Sequence, residues 1–235
     1  MSGDGLAALL REARVLLLDF DGPVCSVFAG LPAATVAKQL RGLLWRHGVA
    51  LPDHVMEQDD PHEILRYTGS LGRDELTRAV EDALTAAEVT AAKSARPTPY
   101  AREVIVAAHE AGRSLAIVSN NAAEPVSAYL DAHRLSRYVH PVIGRPYADP
   151  SRMKPDPAPI LAAVDALDAD PAECVLIGDS VSDMVGAAAA GVRSIGYANK
   201  PGKQQRLTDA GAEVVVDCMA PVATAMLALQ DSAGS

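Results

Sequence analysis

Three observations predict an α/β protein built on a doubly wound parallel sheet that carries an all-helical insert. Apolar runs recur along the chain and stop at polar or glycine-containing tips, as at Val15–Leu18, Leu115–Ser119 and Cys174–Gly178. Such runs read as strands buried on both faces, the mark of a parallel sheet covered by helices. Helical patterns alternate with strands from about residue 97 onward, which implies right-handed crossovers between parallel neighbours. Residues 25–95, by contrast, hold several helical patterns and no convincing strand.

The first strand covers residues 15–20 and runs into Asp19-Phe20-Asp21-Gly22-Pro23-Val24. An ionised Asp is almost never fully buried unless it is paired or binds a metal. Two carboxylates one residue apart at the end of a core strand therefore require a cation or a chemical role. In the insert, Val36, Leu40, Leu43 and Leu44 fall at i, i+4, i+7 and i+8, one face of a helix, and Gly48 is placed to stop it. Asp60-Pro61-His62-Glu63 supplies an N-cap, a proline at the first helical position and an acid at the third. Leu76, Val80, Ala83, Leu84 and Ala87 mark a longer helix. Thr98-Pro99 repeats the cap signature before a helix that ends near Gly112. Leu115–Ser119 is the next strand, and Val139–Gly144 holds a short one. Asp156-Pro157 opens a helix whose apolar positions are Ile160, Leu161 and Val164. Cys174–Gly178 is a strand, Val181–Ala190 an Ala-rich helix stopped by Gly191, and Ser194–Tyr197 and Glu213–Val216 are the final strands. The pattern divides the chain into a core of residues 1–24 and 97–235 and a helical domain of residues 25–96.

The 235 residues are 49% hydrophobic and 22% charged, a balance that favours a packed core over disorder. A net charge of −9 argues against nucleic-acid binding. Three cysteines, Cys25, Cys174 and Cys218, are too few and too scattered for a disulfide framework or a zinc site. The N-terminus does not read as a signal peptide, and no run approaches the ~20 apolar residues of a membrane helix. A cytoplasmic protein without membrane contact, monomer or homodimer, is the expectation. The six His form no metal spacing and are expected at surface or cap positions. Trp45 lies off its helix's apolar stripe and is expected to pack between insert helices.

In an open parallel sheet, ligands bind beyond the carboxyl ends of the strands. Those ends carry Asp19 and Asp21, Ser119-Asn120-Asn121, and Asp179-Ser180 with Asp183 in the following turn. Lys154-Pro155 precedes a helix in the same half and can reach that rim. Two like charges 4 Å apart repel by about 4 kcal/mol at an effective dielectric of ~20. Four converging carboxylates are therefore tolerable only around a cation, with help from Lys154. Oxygen donors suit Mg²⁺, which commonly shares its shell with a phosphate. Metal, carboxylate nucleophile, hydroxyl donor and lysine together make a phosphoryl-transfer site.

In order and spacing these residues resemble the haloacid dehalogenase superfamily. DFDGPV at Asp19–Val24 is similar to its Asp-x-Asp-x-Thr/Val motif, and Ser119 to its strand-closing Ser or Thr. Lys154-Pro155 is similar to its lysine motif, and GDSVSD, with Asp179 and Asp183, to its acidic turn. The insert after the first motif looks like the family's helical C1 cap. The resemblance implies a Mg²⁺-dependent phosphatase that hydrolyses a small phosphorylated metabolite through an aspartyl-phosphate. On that resemblance Asp19 is the nucleophile and Asp21 the acid and then the base. Ser119 donates to the phosphoryl group, and Lys154 offsets charge. The metal is held by the Asp19 side chain, the Asp21 backbone carbonyl, Asp179 and Asp183. Gly22, Asn120 and, from the insert, Arg66 are the substrate-binding candidates. Pro23 departs from the pattern, because the usual Thr ties down the motif loop with its hydroxyl and proline has no donor. Two alternatives use the same frame: a phosphomutase similar to β-phosphoglucomutase, and a non-catalytic binding protein.

Overall fold

The computed structural model describes residues 3–233. In chain order, α1 (Gly3–Glu12) leads into β1 (Val15–Leu18), and β2 (Cys25–Ser26) leaves the core. Then come α2 (Ala33–Arg46), α3 (Asp53–Met56), α4 (Pro61–Ser70) and α5 (Asp74–Ala92). The chain returns through β3 (Arg96–Pro97), which pairs antiparallel with β2. It continues with α6 (Ala101–Glu110), β4 (Ser114–Val118), α7 (Ala123–Ala132), β5 (Val142–Ile143) and α8 (Ala158–Ala166). The last part is β6 (Cys174–Gly178), α9 (Val181–Ala189), β7 (Arg193–Tyr197), α10 (Lys203–Asp209), β8 (Val214–Val216) and α11 (Ala220–Ala233).

The main sheet has the order β5-β4-β1-β6-β7-β8, with every neighbouring pair parallel. β1 lies between β4 and β6, and Leu18 pairs with Ile117 on one side and Ile177 on the other. The chain winds outward from β1 in both directions, so the three central tips meet where the strand order reverses. Side chains alternate across the sheet. Leu16 and Leu18 join the apolar layer under α1, α6, α7 and α11, while Val15 and Leu17 join that under α8 and α9. The predicted doubly wound sheet is therefore present. The helices of the insert have a core of their own, in which Val36, Leu40 and Leu44 meet Ile64, Leu65, Val80 and Leu84. No helix among the described residues is long and apolar enough to cross a membrane.

Several local expectations are corrected. The segment expected to lack strands contains β2, whose two residues are too short for any period to show. Thr98 does not cap α6: that helix starts at Ala101 behind Tyr100, which sits at φ 67, and the Thr98 hydroxyl is used elsewhere. α8 begins at Ala158, later than Asp156-Pro157 suggests, although the Asp156 carboxylate does accept the Ala158 N–H. Strand β1 closes at Leu18 and β5 is confined to Val142–Ile143. Asp60 caps α4 as expected, accepting the His62 N–H at 2.9 Å. Trp45 is 78% exposed rather than packed between helices. Helices α1, α7, α10 and α11 carry no expectation from periodicity.

One contact between insert and core is ionic and dry. Arg145, which follows β5, donates from Nε to Glu81 Oε1 and from Nη1 to Glu88 Oε1, both at 2.7 Å. Both acids lie on α5, and all three side chains are 0–2% exposed. Removing one member of such a cluster strands the others without a counter-charge, at a typical cost of about 3–5 kcal/mol. Arg145→Ala should lose stability of about that size in urea unfolding, and a loss under 1 kcal/mol would contradict the role given to the cluster.

Candidate active site

Most of the predicted residues line one cavity of about 210 Å³, at the tips of β1, β4 and β6. Asp19, Asp21, Ser119, Asn120, Lys154, Asp179 and Asp183 line it from the core, and Asp60, His62, Glu63 and Arg66 from α4 and its cap. Asp19 extends the β1 ladder by one bond, Asp19 N–H to Ile177 O at 2.9 Å, which holds its backbone level with the β6 tip.

Lys154 is 1% exposed, and its ammonium stands between two carboxylates. It donates to Asp19 Oδ1 at 2.9 Å and to the Val118 carbonyl at 2.6 Å. It also pairs with Asp183 Oδ1 at 2.6 Å. Burial would lower the Lys154 pKa, but Asp183 and Asp19 hold it above the usual lysine range. Burial pushes the Asp19 carboxyl upward, against the pull of Lys154 and with the repulsion of Asp183 and Asp179. Asp183 Oδ2 accepts from the Ser180 N–H and hydroxyl, and the Ser180 hydroxyl in turn caps α9.

Asp21 lines the same cavity but is held by a different contact. Its Oδ1 accepts the Val27 N–H at 2.9 Å, and burial raises its pKa to about 6, with the Val27 bond opposing. Asp179 Oδ2 accepts from Asn199 and from Lys203, which lie before and within the first turn of α10. Two glycines make room for the acids. A Cβ on Gly22, which sits at φ +113, would fall 2.5 Å from Asp179 Cγ, and one on Gly178 would fall 2.4 Å from Asp183 Cγ.

Carboxylate oxygens of Asp19, Asp179 and Asp183 lie within 4.8 Å of one another, close enough to share one cation. The donor set is all oxygen. These residues fit a hard divalent ion such as Mg²⁺. The Asp21 side chain is outside the set.

Residues 13–191 match the haloacid dehalogenase-like hydrolase family. The chain belongs to that family. A phosphoglycolate phosphatase from Caulobacter vibrioides is 34% identical over 145 residues, 60% of this chain and 58% of that protein. A phosphoglycolate phosphatase from Salmonella paratyphi A is 33% identical over 98 residues, 42% of this chain and 38% of that one. The chain thus spans 58% and 38% of the lengths of these two relatives. The structure of a "predicted phosphatase" from Clostridium acetobutylicum has a TM-score of 0.70 at 16% identity and covers 92% of this chain and 99% of that one. CbbY from Rhodobacter sphaeroides, determined in complex with phosphate, has a TM-score of 0.64 at 20% identity, covering 88% and 95%. At these identities the two structures show a common fold.

The structure gives the candidate binding residues these partners. Asn120 lines the cavity, but its side chain is spent on Lys154, accepting the backbone N–H at 2.9 Å and donating to the carbonyl at 3.1 Å. Arg66 also lines it, yet its guanidinium donates to the Lys154 and Pro150 carbonyls and pairs with Glu63. Gly22 does not line the cavity and lies behind Asp179. The Ser119 hydroxyl donates to Asn121 Oδ1 at 3.1 Å and accepts the Asn121 N–H at 3.1 Å.

Sequence reasoning missed Thr98, His62, Asn199 and Lys203. Thr98 N–H donates to Val24 O, and its hydroxyl donates to Gly22 O at 2.5 Å. The chain thus anchors the Asp19–Val24 loop from the far side of the insert, where Pro23 has no donor. His62 is half-buried, with Asp60 at 3.3 Å and Glu88 at 3.1 Å. Burial works against its charge, but hydrogen bonds to Asp60 and Glu88 raise its pKa to about 9. The proline and acid around His62 signal only a helix start, and nothing local signals Glu88.

Two outcomes follow from these partners. Thr98→Val leaves a buried carbonyl without its donor and should lower stability by about 1–3 kcal/mol, with most of the loss recovered in Thr98→Ser. Equal stability of the Val and Ser variants would dismiss the anchor. The His62 charge stabilises the fold fully below its unfolded pKa of ~6.5, and that contribution is lost as pH rises through about 9. The stability gap between wild type and His62→Gln should therefore shrink between pH 7 and pH 10 in thermal unfolding. A gap that is flat or widening over this range would exclude a charged His62.

Proposed function

We propose that the chain is a Mg²⁺-dependent phosphatase that hydrolyses a small phosphomonoester through an aspartyl-phosphate on Asp19. The carrying observation is the Lys154 ammonium set between Asp19 and Asp183, with Asp179 completing a three-carboxylate group at the cavity floor. A surface salt bridge needs no such burial, and a passive binding site needs no excess of negative charge where an anionic ligand must sit.

In this reading Asp19 forms a bond to phosphorus as the ester P–O bond breaks, and Asp21 gives its proton to the departing oxygen. Asp21, now ionised, takes a proton from the water that attacks the aspartyl-phosphate, which releases phosphate and restores Asp19. A carboxyl with a pKa of about 6 suits both halves of that exchange near neutral pH. Lys154 holds Asp19 Oδ1 and so fixes the plane of the attacking carboxylate. Mg²⁺ would be held by Asp19, Asp179, Asp183 and the Asp21 backbone carbonyl, and supplies positive charge against the carboxylates and the phosphoryl oxygens. Residues 25–96 serve as a cap over a core of residues 1–24 and 97–235. A cavity of about 210 Å³ limits the substrate to a few heavy atoms beyond the phosphate, and α4 closes it on one side. Phosphoglycolate, the substrate in the names of the relatives above, is the first compound to try.

The test is phosphate release from a panel of small phosphomonoesters, with Mg²⁺ and with EDTA. Asp19→Asn should lose on the order of 1,000-fold or more in kcat, and Asp21→Asn about 100- to 10,000-fold. EDTA should abolish turnover and added Mg²⁺ restore it. Full activity in EDTA, or in Asp19→Asn, rules the mechanism out.

A further inference from the structure

The insert reaches the catalytic loops through one buried carboxylate. Glu88 is 0% exposed and sits near the C-terminal end of α5. Its Oε1 accepts from Asn121 Nδ2 at 2.9 Å and from Arg145 Nη1 at 2.7 Å. Its Oε2 accepts from the Ala122 N–H at 3.0 Å and from Arg145 Nη1 at 2.8 Å. His62 Nε2 stands 3.1 Å from Oε1. Four donors, three of them outside the insert's own helices, thus meet on one side chain.

Asn121 and Ala122 belong to the loop that closes β4 after Ser119. Asn121 is 2% exposed, and its side chain has two partners: Glu88 accepts an amide hydrogen, and the amide oxygen faces the Ser119 hydroxyl. The Glu88 contact therefore decides which way round the Asn121 amide sits, because a carboxylate accepts and does not donate. With the amide so oriented, its oxygen faces Ser119 Oγ, and the Asn121 N–H holds the same Oγ from the backbone side. Arg145 steadies the loop a second time, donating to the Asn120 carbonyl at 3.0 Å.

We propose that Glu88 is a positioning residue for Ser119, acting through the Asn121 amide to hold the hydroxyl where it donates to the phosphoryl group. The inference rests on the phosphatase reading for the role of Ser119. When a phosphoryl oxygen is present the hydroxyl proton turns to it, while the Asn121 N–H keeps Oγ in place. Catalytic hydrogen bonds lose their value within about an ångström of misplacement, so a residue that touches no substrate can still alter rate. A helical insert that merely covers the cavity would have no such connection. Here the position of α5 and the geometry of the β4 tip are one variable.

The experiment is a pair of double-mutant cycles on the full chain, with kcat/KM for p-nitrophenyl phosphate and Kd for inorganic phosphate as readouts. Ser119→Ala should lose about 100-fold in kcat/KM, as for removal of one transition-state donor. Glu88→Gln, which sets an amide against the donors of Asn121 and Ala122, should lose about tenfold. The double variant should match Ser119→Ala within about twofold, because a residue that acts through Ser119 has nothing left to act on. Losses that multiply overturn the proposal, as does a Glu88→Gln enzyme with wild-type kinetics. Asn121→Ala leaves the Arg145–Glu88 pair intact and should show the same non-additivity with Ser119→Ala; this second cycle decides if Glu88→Gln does not fold. A wild type that binds phosphate but hydrolyses no ester removes the phosphatase reading alone, and the phosphate Kd values then complete both cycles. A wild type that binds no phosphate overturns the inference.

Discussion

The candidate site at the strand tips depends on one buried ammonium. Lys154 lies between Asp19 and Asp183, and without it those carboxylates would face each other and Asp179 with no counter-charge between them. A like pair at 4 Å repels by about 4 kcal/mol even at an effective dielectric of ~20. The surroundings are arranged to keep the ammonium there. The Val118 carbonyl at the β4 tip takes one of its hydrogens, Asn120 grips the Lys154 backbone on both sides, and Arg66 donates to its carbonyl. Met153, the residue before it, is buried in the core of the insert. One lysine therefore connects sheet, loop and insert.

The insert is consequently a wall of the candidate site and not an appendage. It is joined to the core by contacts of different character. Arg66 grips the Lys154 loop and Glu88 holds the Asn121 amide, while just past the insert Thr98 ties the returning chain to the Gly22 carbonyl. The Arg145 cluster adds buried charge to the Glu88 contact, with Glu81 and Glu88 on one side and a single guanidinium on the other. Burial opposes ionisation of Glu88, and His62 together with Arg145 holds it below the usual carboxyl range. A cluster of this kind is specific rather than merely adhesive, since its members are costly to bury in any other arrangement.

How far the chain can be read without its fold follows from the range of each signal. Asp19, Asp21, Ser119, Lys154, Asp179 and Asp183 were legible because each is a polar residue at the end of an apolar run, or just before a helix, in an order that resembles one family. The structure brings them to one cavity because β1 pairs with both β4 and β6. Asn120 and Arg66 were legible as neighbours of the site, but not as holders of the Lys154 backbone. Trp45 was misplaced because lying off an apolar stripe does not say what else covers a side chain, and here little does. Helix α11 escaped notice because APVATAMLAL is apolar on nearly every face and shows no stripe.

What the amino-acid order by itself determined is the central strands of the parallel sheet, the run of helices between the first strand and the rest, and the acids and lysine that meet near the strand tips. These rest on burial of short apolar runs and on caps formed within three or four residues, so the information is local. What only the tertiary structure decided is which buried groups face each other: Lys154 with Asp19 across 135 positions, Asn121 with Glu88 across 33, Thr98 with Gly22 across 76. A buried charge or carbonyl is stable only against its own partner, and the partner's identity is set by packing between distant elements. That is why His62 looked like a surface histidine, and why Glu88 carried no signal until α5 was laid against the loop after Ser119.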